Sequence, residues 1–185
     1  MAWNIDATHS QATFSVKHMM ISTVKGHFEV LSGQLHIDEE NPENSWVEAE
    51  VDAASINTRD AKRDGHLKSP DFFDVEKYPK ITFKSTKVEP LGDNEYRVTG
   101  NLTIHGVTKE ETFHAEYAGQ LKDLYGFQRA AFSVKGTINR KDYGLNWNVA
   151  LESGGVLVGD KVNVEIDLAA VQKVEVEQPA AAQAV

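Results

Sequence analysis

Apolar and polar residues alternate with a period of two along most of this chain, and this pattern constrains the fold more than any other feature. In residues 12–16, 96–104 and 132–138 every second position is apolar or glycine, and the positions between them are polar. Such strands have one face in a core and one in water, which is typical of antiparallel sheets. Strands of a parallel sheet are covered on both faces and read as continuous apolar runs. The chain is therefore predicted to be all-β and antiparallel.

Turn-forming residues separate the predicted strands. Leu91-Gly92-Asp93-Asn94 and His105-Gly106 each stand between two alternating segments and predict tight hairpins. One long strand is expected from about residue 24 to residue 38, with a bend at Gly33. Sequential hairpins favour an up-and-down meander, and closing the meander removes its exposed edges. We therefore predict an antiparallel β-barrel of about eight strands, a number that leaves room inside for side chains or for one ligand.

Two segments interrupt the alternation. In the first, Asn57 or Thr58 is placed to cap a short helix over residues 59–68, and Ser69 resembles a second helix start. The second interruption covers residues 141–149. We expect both segments to cover one end of the barrel. The alternative is that they are loops packed on the outside of the barrel.

Length and charge limit the domain organisation and the partners. The 185 residues suit one domain, which we assign to residues 1–172, with a disordered tail at 173–185. A net charge of -9 repels phosphate backbones, so nucleic acid is not expected as a partner. No apolar stretch is long enough for an integral membrane segment, and no signal peptide is visible. The chain as written is expected to be cytoplasmic, or periplasmic if it is a processed chain.

The sequence carries no recognisable catalytic motif. There is no cysteine, which excludes disulfides, zinc–thiolate sites and cysteine nucleophiles, and neither Gly-x-Ser-x-Gly nor His-Glu-x-x-His occurs. In the glycine-rich segment 154–161, Asp160 stands where a phosphate loop requires lysine. We therefore predict no catalytic residue, no metal site and no cofactor.

Three polar residues are candidates for contact with a ligand head group. His18 shares the apolar phase of Phe14 and Val16, so it is either a core histidine or a polar anchor near the barrel mouth. Arg59 and Arg63 belong to the predicted helix, where they either form a solvated face or meet an anionic head group. The sequence leaves both pairs of alternatives open.

Several longer motifs stand in order between residues 3 and 170, and the most distinctive are Arg63-Asp64-x-His66-Leu67-x-Ser69-x-Asp71-Phe72-Phe73-Asp74, Val98-x-Gly100-x-Leu102-x-Ile104-x-Gly106 and Arg140-x-Asp142-Tyr143-Gly144-Leu145. With these motifs the chain resembles the YceI-like family of lipid-binding proteins. The resemblance implies a lipocalin-like barrel with a helical insertion. It also implies a long-chain isoprenoid lipid as partner, such as an isoprenoid quinone or a polyprenyl pyrophosphate. A homodimer is a further expectation, and no catalytic residue is carried over.

The inward apolar residues are the candidates for contact with such a ligand. Each of them is equally explained by core packing, while small inward residues such as Gly100 and Gly136 are expected to leave room along the axis. The predicted function is non-enzymatic binding, storage or transport of the lipid, and the alternatives are a lipid- or quinone-modifying enzyme and a structural barrel without ligand. The predicted lining consists of Phe14, Val16, Phe28, Val51, Phe83, Leu102, Ile104, Phe132 and Ile138, with Met19, Met20, Phe72 and Phe73 near the opening.

Overall fold

The strands of this protein form one closed antiparallel sheet in a computed structural model that describes residues 2–172. The predicted tail at 173–185 lies outside the described residues. The described residues form one helix, α1 (Ala61–Lys68), short 3₁₀ turns at Pro42–Asn44, Ala53–Ser55 and Arg140–Tyr143, and the strands β1 (Ala2–Ile5), β2 (Gln11–His18), β3 (Ser22–Phe28), β4 (Leu31–His36), β5 (Trp46–Asp52), β6 (Ile56–Asn57), β7 (Lys80–Gly92), β8 (Glu95–Ile104), β9 (Val107–Lys122), β10 (Gln128–Asn139) and β11 (Val158–Gln172).

The eleven segments make eight barrel strands, because three barrel strands are each interrupted once. Segments β1 and β2 both pair with β11, one after the other along its length. Segments β4 and β3, which pair with β1 and β2, together form the next barrel strand. Segments β5 and β6, which pair with β4 and β3, form the one after it. From β7 to β11 each strand pairs with the next, and β11 closes the ring on β1. The predicted up-and-down antiparallel barrel is confirmed.

The tight hairpin turns have the backbone that their residues favour. Asp93 and Asn94 both have positive φ, as do His105 and Gly106. Two successive residues of this conformation form the turn whose twist matches that of paired antiparallel strands. These two turns fix the register of β7, β8 and β9, so the apolar residues of the three strands face the same side of the sheet.

The long strand predicted over residues 24–38 is divided into two segments. The interruption falls at residues 29–30, between β3 and β4, and Gly33 lies inside β4. Gly33 has a φ of +150°, and a Cβ at this position would stand 2.1 Å from the carbonyl oxygen of Glu48 on the neighbouring strand. Gly33 is therefore required for close approach between two strands.

The helix begins later than the sequence indicated. Asp60, not Asn57 or Thr58, is the N-cap, and its carboxylate accepts hydrogen bonds from the backbone N–H groups of Lys62 and Arg63, both at 3.0 Å. Ser69 is not the start of a second helix but the C-cap of α1. Its hydroxyl donates to the backbone oxygen of His66, at 2.6 Å, and the chain then continues as turns to β7.

The two ends of the barrel differ in how they are covered. The end that we call the capped end carries α1, residues 69–79 and residues 140–157. The other end, which we call the open end, carries the loop at 37–45 and the hairpin turns at 93–94 and 123–127. The expectation that both irregular segments cover one end is confirmed, because Phe72 and Leu145 are buried against the barrel interior.

Candidate functional site

The barrel encloses an apolar cavity of about 330 Å³. Packed side chains flank it on both sides. One cluster, which includes Trp3 and Leu35, lies on the wall toward the open end, and another, which includes Ile104 and Tyr143, lies toward the capped end. Val98, in the middle of β8, also lines the cavity.

Most of the predicted ligand-contacting side chains line this cavity. The alternation of each strand turns them inward, and closure of the sheet then brings residues from distant parts of the sequence together. Their contact with a ligand stays a prediction. The predicted residues that line the cavity are Phe14, Val16, Phe28, Val51, Phe72, Phe73, Phe83, Leu102, Ile104, Phe132 and Ile138.

The structure does not place His18, Met19 and Met20 in the cavity lining. His18 is the last residue of β2, and Met19 and Met20 form the turn that follows, with positive φ and at least half of each methionine exposed. This turn projects from the barrel at the capped end, not at the opening. The alternation gives the face to which a side chain points but not its height along the barrel axis, which explains this difference from the prediction.

Arg59 and Arg63 also lie outside the cavity lining. Arg59 is exposed and lies in a groove on the outer surface of the barrel. The guanidinium of Arg63 donates to the side chain and the backbone oxygen of Thr58, at 2.8 and 2.7 Å. Thr58 is itself buried, so Arg63 fixes the start of the helical segment. Neither arginine is placed to meet a head group inside the barrel.

Two of the small inward residues do not leave the space that was expected of them. A Cβ at Gly100 would stand 2.6 Å from the ring of Phe83, and a Cβ at Gly136 would stand 2.3 Å from the ring of Phe113. The aromatic rings therefore occupy the room above both glycines. The free volume lies instead beside residues such as Ala12, Ala49 and Ala115, whose small side chains line the cavity. 

The capped end is closed by contacts between the helical segment and the later irregular segment. The ring of Trp147 meets the ring of His66 edge-on, with centroids 4.6 Å apart, and lies 5.4 Å from the ring of Phe72. Nε2 of His66 is 2.9 Å from a carboxylate oxygen of Asp71. Leu67 and Leu145 line the cavity directly beneath. Leu145 and Trp147 belong to the second irregular segment, 141–149, which the sequence predicted as part of the cover.

A buried arginine stands at the capped end of the cavity. Arg140 is 4% exposed and donates from Nε to the backbone oxygen of Gly159 and from the terminal nitrogens to those of Leu145, Trp147 and Val158. Burial lowers the pKa of its guanidinium, while Asp160, whose carboxylate lies 3.9 Å away, raises it. Arg140 therefore ties both ends of the irregular segment together. Arg140 is the first residue of the motif Arg140-x-Asp142-Tyr143-Gly144-Leu145, but the sequence did not predict its structural role.

Tyr143 anchors the same segment from the other side. It is fully buried, and its hydroxyl donates to a carboxylate oxygen of Glu111 at 2.7 Å. Burial, together with this hydrogen bond, raises the pKa of the phenol, so Tyr143 stays neutral. Its backbone oxygen lies 3.2 Å from Nδ1 of His105 in the hairpin turn between β8 and β9. These contacts fix the cover to the barrel wall.

The open end carries the exposed part of the lining. Glu39 and Trp46 line the cavity and are exposed, whereas Phe72, Leu145 and Arg140 at the opposite end are buried. The cavity therefore opens at the loop between β4 and β5. This opening, which we call the mouth, also includes Asp38 and His36.

Hydrogen bonds hold the acidic side chains of the mouth in place. A carboxylate oxygen of Glu39 accepts from the hydroxyl of Tyr117 at 2.8 Å and from the side-chain amide of Gln120 at 3.0 Å. Burial and the neighbouring Glu39 raise the pKa of Tyr117 to about 12, so its phenol remains a donor at neutral pH. Asn41 and Asn44 donate to Asp38 and lower the pKa of its carboxyl, which keeps Asp38 ionised. The mouth is therefore acidic.

Between residues 2 and 172, no three histidine, aspartate or glutamate side chains are grouped so that they could hold a metal ion. No helix in the same part of the chain has the length and apolarity needed to cross a membrane.

The family is decided by a match to the model of the YceI-like domain, which covers residues 3–170. The chain belongs to the YceI-like family. Similar proteins include a UPF0312 protein of Staphylococcus aureus, which is 42% identical over 164 residues that span 88% of this chain and 93% of the relative. A UPF0312 protein of Staphylococcus epidermidis is 43% identical over the same shares of both chains.

Solved structures of YceI-like and related proteins share the barrel. A YceI protein of Campylobacter jejuni is 34% identical, covers 85% of this chain and 90% of its own, and superposes with a TM-score of 0.72. BcnA of Burkholderia cenocepacia is 25% identical, with a TM-score of 0.77 over 89% of this chain and 98% of its own. A polyisoprenoid-binding domain from Saccharophagus degradans, at 20% identity and a TM-score of 0.65, covers 92% of this chain and 98% of its own and shows the shared fold.

Proposed function

We propose that this protein binds one long-chain isoprenoid lipid with an uncharged head group inside the barrel, and that it stores or carries this lipid without changing it chemically. The observation that carries the proposal is the apolar cavity, which opens at one end and is closed at the other. The YceI-like family and the shared barrel support a lipid-binding function. The isoprenoid class is the ligand of the Saccharophagus degradans domain, and its extension to this chain is part of the proposal.

The size of the cavity suits an extended apolar chain. A volume of about 330 Å³ lies within the range of about 300–1,000 Å³ that small-molecule sites have. Each buried methylene contributes about 0.8 kcal/mol, so ten contribute about 8 kcal/mol before the costs of association. Apolar burial is therefore sufficient for useful affinity, and few polar contacts with the ligand are needed.

The charges of the mouth favour an uncharged head group. If the apolar chain enters first, the head group stays beside Asp38 and Glu39, whose carboxylates would repel a pyrophosphate. The positive charge at the other end, Arg140, is already engaged by four backbone oxygens and lies close to Asp160. The head group of a quinone or an alcohol is uncharged, so the carboxylates of the mouth do not repel it and it needs no free cation. We therefore favour an isoprenoid quinone over a polyprenyl pyrophosphate.

Binding without chemistry is the simplest function for this cavity. A general acid or base has to lie within hydrogen-bonding reach of the atom that reacts. The middle of the cavity is lined by Val98, Ala115 and Val134, whose side chains carry no general acid or base. The ionisable residues of the lining stand at its two ends, and at the mouth the hydroxyl of Tyr117 is already hydrogen-bonded to Glu39.

The proposal is tested first by mass spectrometry on an organic extract of protein purified without detergent from its native host. We expect one prenyl quinone or prenyl alcohol per chain. The same protein, stripped of lipid, is then offered a prenyl quinone and a prenyl pyrophosphate of equal chain length, and the quinone should bind more tightly. A blank extract together with no uptake of either compound would favour a structural barrel. Tighter binding of the pyrophosphate would contradict the head-group argument, and chemical conversion of either compound would favour an enzyme.

A further inference from the structure

Four large apolar side chains are exposed together at the turn between β9 and β10. We call residues 121–127 the hairpin tip. Within it, Leu124 is 100% exposed, Tyr125 84%, Leu121 62% and Phe127 40%. Single exposed apolar residues are common on soluble proteins, but a contiguous group of them marks a surface that contacts a protein or a membrane.

The hairpin tip is held in one conformation by its own polar contacts. The carboxylate of Asp123 accepts from the backbone N–H groups of Tyr125 and Phe127, both at 2.9 Å, and from Nε of Arg129 at 2.6 Å. The backbone N–H of Asp123 donates to the oxygen of Phe127. Arg129 also donates to Asp6, at 2.8 Å, which ties the base of the hairpin to the barrel. The apolar side chains are therefore presented outward by a built turn.

The hairpin tip stands beside the mouth of the cavity. It follows directly on Tyr117 and Gln120, which hold Glu39 at the mouth. A surface that docks through the tip thus lies next to the opening. The other exposed apolar turn, which includes Met20 and Ile21, projects from the capped end, where buried side chains close the cavity.

The charge of the hairpin tip differs from that of the whole chain. Asp123, the only acidic residue of the tip, is paired with Arg129. Among the described residues Lys122 has no carboxylate within ion-pair distance, so the tip presents a free cation in a protein of net charge -9. Exposed leucine and aromatic side chains beside a lysine are typical of segments that lie in the headgroup layer of a bilayer.

We propose that the hairpin tip inserts into the headgroup layer of a phospholipid bilayer, with Lys122 at the lipid phosphates, and holds the mouth against the membrane while the ligand passes between them. The purpose of this docking rests on the proposed function, since an isoprenoid lipid is stored in membranes. A second copy of the chain is a weaker candidate, because stable interfaces bury about 800 Å² on each partner, far more than a seven-residue turn offers.

The test compares a tip variant with a matched control from the opposite end. Leu124→Ser with Tyr125→Ser removes two of the most exposed apolar side chains of the tip, and Met20→Ser with Ile21→Ser removes two from the capped end. Thermal unfolding should show that both double variants remain folded. Flotation with phosphatidylcholine vesicles, with and without phosphatidylglycerol, measures docking. We expect at least tenfold weaker binding for the tip variant and unchanged binding for the control.

A second variant and a second readout separate docking from ligand binding. Lys122→Glu should reduce flotation most with the phosphatidylglycerol vesicles. Uptake of a prenyl quinone from vesicles should be at least tenfold slower in the tip variant, whereas uptake of a short-chain, water-soluble prenyl quinone should equal that of the unmodified protein. If the unmodified protein floats through its tip but takes up neither quinone, the docking surface stands and the proposed function fails.

Two outcomes would overturn the docking proposal. The first is equal flotation of the unmodified protein and the tip variant, or equal loss in both double variants. The second is a concentration-dependent dimer in analytical ultracentrifugation that the tip substitutions dissociate while vesicle binding stays unchanged. That second result would assign the hairpin tip to a contact between two copies of the chain.

Discussion

Replacing Val98 with tryptophan should narrow the cavity without unfolding the barrel. Val98 lines the cavity in the middle of β8, with Val88 and Phe113 opposite it on the neighbouring strands. Since Val98 lines the cavity, a larger side chain can extend into its free volume. A tightly packed core position would instead resist the larger ring, at a cost of about 1–3 kcal/mol.

The size of the effect follows from the volume of the cavity. The change from valine to tryptophan adds roughly 90 Å³ of side chain at the packing density of protein interiors, and the cavity measures about 330 Å³. The ligand then loses about three methylene positions, and at about 0.8 kcal/mol each this weakens binding by about 2.4 kcal/mol. Such a change corresponds to a roughly 60-fold increase in Kd.

The assay is titration of the lipid-free protein with a prenyl quinone, alongside thermal unfolding. Arg97→Trp is the control, because Arg97 precedes Val98 on the outer face of the same strand and is exposed there. We expect the control to bind as the unmodified protein does. The reasoning would be refuted if Val98→Trp kept its Kd within threefold, or if it lowered stability by more than about 3 kcal/mol, since the position would then be packed rather than open.

Three further predictions concern stability. Arg140→Met should destabilise the protein by about 3–5 kcal/mol in guanidinium unfolding, since it leaves several buried carbonyl groups without their donor. Arg140→Lys should recover only part of this loss, and a loss below about 1 kcal/mol would contradict the role of the guanidinium. Gly136→Ala should lower the free energy of unfolding by about 1–3 kcal/mol through overpacking, because its Cβ would stand 2.3 Å from the ring of Phe113. The loss should be smaller when Phe113→Leu is added, and purely additive losses of stability would refute the contact. Hydrogen bonding, first of all from Thr8, lowers the pKa of Asp6, so its contribution to stability is present above the unfolded pKa of about 3.9 and is lost as the pH falls toward the lower, folded value. The Asp6→Asn variant should therefore be less stable than the unmodified protein at pH 7. In urea unfolding between pH 5 and pH 2, the difference in the free energy of unfolding between the two proteins should narrow, and a difference that stays constant with pH would argue against this role of Asp6.

The barrel wall was predictable because its signal is local. Period-two alternation depends only on neighbouring residues, so it identified the inward positions of β8 and β10, including Leu102 and Phe132, before any pairing was known. The tight turns at Asp93-Asn94 and His105-Gly106 were equally local, because few residues adopt positive φ at low cost. Together they made an up-and-down antiparallel barrel the expected fold.

The helical segment shows where local signals were ambiguous. Asn57, Thr58 and Asp60 are all good N-caps by residue type, and the structure selects Asp60. The choice depends on Thr58, which is buried and engaged by the side chains of Arg63 and Asp64. Capping preference alone does not contain that tertiary contact.

The sequence by itself determined which face each side chain takes, because a strand turns successive residues to opposite sides whatever surrounds it. Only the tertiary structure decided how high along the axis each residue sits and what it meets there, because this depends on closure between strands far apart in the chain. Closure placed Met19 and Met20 at the capped end, filled the room above Gly136 with a ring, and left Val98 facing free volume. The same closure buried Arg140 among backbone oxygens and set the acidic mouth beside the apolar hairpin tip.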